Sequence, residues 1–249
     1  MNTSAEHLTS NLAANETSLP PGALRGEGWL TVQTYQAQRL ICGRRASQGK
    51  PAIMGLIDFA QALKGLWQAI RRNDPYADWP LLQVQELLHA TRMQLHEIQQ
   101  ALTDLIDELH GPLEFAVAQS TRPQRVSLQF ANPYAFRAAQ LLGDYDRMLC
   151  ADMTLQYLGV EIPAVLQARV KACGRQVRRV LAAPLGYRCF GITRQDVQLG
   201  SEPALRARER MGELPEEILE GRVLPRLRPP VMGESSGVRT PNPAGVVQQ

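Results

Sequence analysis

Arg125, Ser127 and Gln129 alternate with Val126, Leu128 and Phe130. A period of two puts the polar set on one face of a β-strand and the apolar set on the other. The polar set has a specific chemistry. Arginine matches guanine O6 and N7 with paired N–H groups, glutamine matches adenine, and serine bonds to either. A two-stranded ribbon with such a face fits the major groove of B-DNA, about 12 Å wide. The ordinary alternative is an edge strand whose polar side faces water.

Phosphate chemistry comes next along the chain. Asn132 and Pro133 mark a helix start, and the free N–H groups of a first turn can hold an anion. Farther on, Lys171, Arg175, Arg178 and Arg179 fall at spacings of four, three and one and share one broad helix face. No acidic residue stands between Glu161 and Asp196, an interval that also carries Arg169, Arg188 and Arg194. A solvated helix face is the ordinary alternative, although solvated faces usually mix signs. Residues 80–111 are the reverse, with Glu86, Glu97, Asp104, Asp107 and Glu108 against Arg92. The net charge of +3 is too small to imply nucleic acid. Its distribution points to one face for an anion and another for protein contacts.

Catalytic and metal chemistry are hard to build. His89 and His96 are seven residues apart, too far for the i, i+4 pair of a zinc helix. Cys42, Cys150, Cys173 and Cys189 form no C-x-x-C pair and read as reduced packing residues. Ser120 and Ser127 lack a nucleophile elbow, and no glycine-rich phosphate loop exists. The expectation is a protein that is not an enzyme, with no catalytic residue, metal site or cofactor.

The elements that must position these residues are mostly helical. Apolar residues from Ile53 to Ile70 recur at three and four. Leu81, Val84, Leu88, Thr91, Leu95, Ile98, Leu102, Leu105 and Leu109 keep strict 3-4 spacing, as a coiled-coil seam or a central bundle helix does. Asp78 is expected to cap that helix, with Pro80 in its first turn. Helices follow from Pro133 to Leu158, with Gly143 as a close crossing, and from Pro163 to Leu181. A lone strand must find a partner for its backbone. The expected partner is the same strand of a second copy, with Val126, Leu128 and Phe130 as the dimer and core face. Leu30–Thr34 is the one competitor within the chain.

Several motifs carry a resemblance: Asp74-Pro75-Tyr76-Ala77-Asp78-Trp79, Ser120 to Pro123, Val126 to Phe130 leading to Pro133-Tyr134-Ala135, and Gly191-Ile192-Thr193-Arg194-Gln195-Asp196. In this order they resemble a bacterial family encoded by integrating conjugative elements and related to the AcaB-like transcriptional regulators. The resemblance covers about Thr31 to Arg222. It implies a ribbon-helix-helix DNA-binding unit embedded in extra helices, and a role in regulating conjugative transfer genes. Arg125, Ser127 and Gln129 would then face bases, and Asn132, Lys171, Arg175, Arg178 and Arg179 would face phosphates.

The expected fold is mainly α, a helical bundle with an embedded β-strand and a ribbon-helix-helix-like dimerisation unit at about 123–183. Residues 1–27 read as a disordered arm, 28–222 as one domain, and 223–249 as a disordered Pro/Gly-rich tail. The expected partners are double-stranded DNA, a second copy and other conjugative-element proteins. No apolar run is long enough for a membrane and the N-terminus is not a secretory signal, so a cytoplasmic location is expected. The alternative is a non-catalytic helical scaffold or assembly protein of the transfer apparatus, using the Leu81–Leu109 seam as its contact.

Overall fold

A computed structural model describes residues 28–47, 49, 51–109, 116–129 and 132–232. The elements are β1 (Gly28–Val32), α1 (Tyr35–Cys42), α2 (Leu56–Arg71), α3 (Pro75–Asp107), β2 (Gln124–Leu128), α4 (Pro133–Tyr157), α5 (Ala164–Ala182), α6 (Arg194–Leu199), α7 (Glu202–Met211) and α8 (Glu216–Leu219). A short 3-10 turn covers Ala183–Gly186. The fold is mainly helical with one small antiparallel sheet. No helix among the described residues is long and apolar enough to cross a membrane.

The spine is α3, 33 residues and about 50 Å long at 1.5 Å per residue. Its seam is buried from Leu81 to Leu102, Thr91 included. It packs on α4, α5 and α2 of the same chain. The seam therefore builds a bundle, because apolar residues beside it widen the stripe beyond a two-stranded contact. Cys150 and Cys173 are buried packing residues, while Cys42 and Cys189 are exposed.

The start of α3 corrects the sequence reading. Asp74, not Asp78, is the N-cap, accepting from the Tyr76 N–H at 2.9 Å, with Pro75 in the first turn and Pro80 inside the helix. Asp78 instead points into a buried polar cluster. Arg194 Nη2 donates to Asp78 Oδ2 at 2.7 Å, and Arg228 Nε donates to Oδ1 at 2.8 Å. Asn73 takes the left-handed conformation that asparagine tolerates (φ 64°). Its side-chain oxygen accepts from both arginines at 3.4 Å. Tyr187 Oη donates to Asp74 Oδ2 at 2.7 Å. Burial pushes the Asp74 carboxyl up to about 6, against the pull of the Tyr187 and Tyr76 hydrogen bonds. The motifs at 74–79 and 191–196 thus meet in space. Next to them lies a small second core of Tyr76, Ile192, Ala207, Leu214 and Ile218.

The folded chain also runs past Arg222, the expected end of the domain. Pro225 is buried, Leu227 N–H donates to Tyr134 Oη at 3.1 Å, and Met232 N–H reaches Arg71 O at 2.7 Å. Arg228 is the physical reason, since its charge completes the Asp78 cluster. Residues 1–27 and 233–249 lie outside the described residues.

The partner of the strand is the second correction. β2 pairs antiparallel with β1 of the same chain, in the register Gly28↔Leu128, Trp29↔Ser127, Leu30↔Val126, Thr31↔Arg125 and Val32↔Gln124. The backbone demand that pointed to a second copy is met internally. A free two-stranded ribbon is marginal in water and needs a surface to rest on. Here that surface is α4. The close approach expected at Gly143 is made by β1, with the Leu30 side chain 3.5 Å from where a β-carbon would stand.

Candidate nucleic-acid interface

Both strands of the ribbon repeat one burial pattern, alternating inward and outward. Leu30, Val32, Val126 and Leu128 turn inward. Trp29, Thr31, Arg125 and Ser127 are exposed on the other face, and exposed Gln129 follows just past the end of β2. Phe130, expected on the core face, lies outside the described residues. The Arg125 guanidinium carbon stands 4.4 Å from the centroid of a Trp29 ring. Such stacking is worth about 0.5–1 kcal/mol at an exposed site. It also narrows the guanidinium's range on a residue that is exposed.

A carboxylate on α4 fixes the ribbon. Asp146 is buried and accepts from Gln33 N–H at 2.7 Å, Thr34 N–H at 2.8 Å and Thr34 Oγ1 at 2.7 Å. Thr34 Oγ1 in turn accepts from Ala37 N–H at 3.3 Å and caps α1. Gln33 Oε1 accepts from Ser120 N–H at 3.0 Å, tying down the segment that leads into β2. One buried acid therefore holds the β1–α1 corner and, through Gln33, the entry to β2.

Asn132, expected to face a phosphate, is buried and caps α4, its Oδ1 accepting from Tyr134 N–H at 2.8 Å. Its Nδ2 is buried without a hydrogen-bond partner among the described residues. On α5, Lys171, Arg175, Arg178 and Arg179 are exposed. Two other cations of the acid-free interval are engaged, Arg194 with Asp78 and Arg169 with Glu97 at 2.6 Å. The ribbon and α5 are not brought together. Gly143 faces Leu30 of β1, whereas a β-carbon at Gly174 of α5 would come within 2.8 Å of Tyr145 Oη. Gly143 and Tyr145 are two residues apart, which is about 200° around a helix. The ribbon and α5 thus pack on opposite sides of α4.

The family model described as transcriptional regulator AcaB matches residues 20–232. The chain belongs to the AcaB family. Its fold is similar to the crystal structure of selenomethionine-containing AcaB from uropathogenic E. coli, with a TM-score of 0.53. That match covers 80% of this chain and 97% of the other at 14% sequence identity. No curated protein sequence matches the chain.

Within this AcaB-family chain, sequence reasoning misses Trp29 and Thr31 on the ribbon's outer face. The signal is present, since Gly28 to Val32 alternates as β2 does. Thr34 reads as part of the strand, but its side chain serves Asp146 and the α1 cap. Arg92 and Arg147 are missed too. They come beside the ribbon only because α3 and α4 pack together, and neither stands near the ribbon in sequence. No group of three or more His, Cys, Asp or Glu residues is arranged to hold a metal among the described residues.

Proposed function

We propose that this AcaB-family protein regulates transcription by laying its ribbon in the major groove of double-stranded DNA, with Arg125, Ser127 and Gln129 toward base edges. The observation that carries this reading is the outward face of the ribbon, where Arg125 stacks on Trp29 beside exposed Ser127 and Thr31. An arginine held in place loses less conformational entropy when it pairs with guanine. Such a bidentate contact discriminates by about 1–3 kcal/mol.

The ribbon-helix-helix description needs one change in this reading. One chain supplies both strands, so a homodimer would double the reading unit rather than create it. Regulation of conjugative-element genes follows from the family resemblance. The cations of α5 (Lys171, Arg175, Arg178 and Arg179) form a separate surface across α4, open to a second stretch of DNA.

Internal strand pairing is also what a non-DNA-binding scaffold would show. The scaffold reading, however, needs the Leu81–Leu109 seam as its contact surface, and that seam is buried from Leu81 to Leu102. The test is binding of the full chain to a randomised duplex pool at low salt, followed by selection of preferred sequences. Arg125→Ala and Gln129→Ala should keep overall binding and lower the preference for the selected sequences by about ten-fold or more, in line with the discrimination of a bidentate pair. Absence of any duplex binding at low salt would remove this reading.

A further inference from the structure

We infer that the groove between α3 and α4, beside the ribbon, is the track on which a strand of duplex DNA lays its phosphates. This rests on the DNA reading of the ribbon and adds the surface that holds the backbone. Polar residues line both walls at helical spacing. On α4, Arg137, Gln140, Asp144 and Arg147 follow at three, four and three. On α3, His89, Arg92 and His96 follow at three and four. Each series is one stripe of a helix.

The two stripes face each other. Arg92 Nε lies 3.4 Å from Asp144 Oδ2, and Arg147 bonds the other oxygen of the same carboxylate. Three hollows meet at Arg92. One of about 370 Å³ also touches His89, Arg137 and Arg226. A second of about 350 Å³ touches His96 and Arg147. The third, of about 400 Å³, runs on to Trp29 and Thr31 of the ribbon. The surface is therefore continuous from the reading face into the groove.

Charge and length both suit a DNA strand. Arg92, Arg137, Arg147 and Arg226 stand against the carboxylates of Glu86 and Asp144. From Arg137 to Arg147 is about 15 Å of helix. Over that length a DNA strand lying along the groove presents more than one phosphate. Asp144 acts as a brake. It holds both arginines at the groove and neutralises one of the two charges.

The test is duplex binding by the full chain, followed by fluorescence anisotropy across a salt series. Arg92→Ala with Arg147→Ala should weaken binding to all sequences alike. The log–log salt slope should become shallower by nearly 2, about 0.9 for each phosphate that is no longer neutralised. Asp144→Asn should move the other way, binding several-fold more tightly, a gain that damaged folding does not produce. Arg206→Ala with Arg210→Ala, exposed on α7 and outside the groove, should leave the slope unchanged. If the parent binds and the Arg92/Arg147 variant keeps its slope, or Asp144→Asn weakens binding, the groove is rejected and the ribbon reading stands. If the parent binds no duplex at low salt, the DNA reading itself falls and takes the groove with it.

Discussion

Two aspartates in this protein each sit between two arginines, and only one of them belongs to the interior. The Asp78 side chain is 0% exposed, and its partners Arg194 and Arg228 are 14% and 17% exposed. The Asp144 side chain is 21% exposed, and its partners Arg92 and Arg147 are 60% and 76% exposed. The chemistry is the same and the surroundings differ. In the first cluster the groups are cut off from water and depend on one another, so the cluster locks α3, α6 and the 225–232 segment into one piece. In the second, water screens the pairs, and each is worth about 0–1 kcal/mol. The arginines of the second cluster remain free to meet another anion. Burial, not residue type, separates a structural charge cluster from a recognition surface here.

The largest expected effect tests that contrast directly. Asp78→Ala leaves two guanidiniums without their acid in a nearly dry site and should cost about 3–5 kcal/mol in chemical denaturation. Asp144→Ala should change stability by less than about 1 kcal/mol. Equal losses for the two variants would erase the distinction. Asp146→Ala comes next. It removes the acceptor of three hydrogen bonds at the β1–α1 corner. With buried donors left unpaired, it should cost about 2–3 kcal/mol. Amide exchange should rise first at Gly28–Val32 and Gln124–Leu128. Uniform loosening of the whole bundle would mean that Asp146 does not hold the ribbon in particular.

The last effect concerns pH. The Asp74 carboxyl moves from its ordinary 3.8 to about 6 because it is buried. An acid whose pKa rises on folding binds its proton more tightly when folded. The folded state therefore gains relative stability as pH falls from about 6 toward 3.8, and that gain is lost as pH rises through about 6. Asp74→Asn keeps a good cap and removes the titration. The difference in melting temperature between variant and parent should shift across roughly pH 4 to 6.5, with the parent relatively better at the acid end. Parallel melting curves would show that Asp74 does not titrate in that range.

Much of this architecture is legible in the chain. The 3-4 spacing of Leu81 to Leu102 announces a long buried helix, and Asn132-Pro133 announces the start of α4. The alternation from Val126 to Leu128 names the two faces of β2. Other features are not legible, because they depend on pairs distant in sequence. Asp78 reads as a helix cap until Arg194 and Arg228 are seen to fold onto it. The 225–232 segment reads as a tail for the same reason. Arg125 and the α5 cations look like parts of one basic surface until α4 is seen to stand between them.

The sequence by itself determined where the helices run, which face of β2 is apolar, and which residues on the other face could read a base. Those properties follow from local periodicity and capping, which need no knowledge of the partner. Tertiary structure alone decided that β2 pairs with β1 of its own chain, that one acid of α4 holds the ribbon, and that Arg92 and Arg147 flank it. Each of those outcomes depends on which distant groups reach one another in space. A backbone edge or a buried charge only demands that it be satisfied, and does not say by whom.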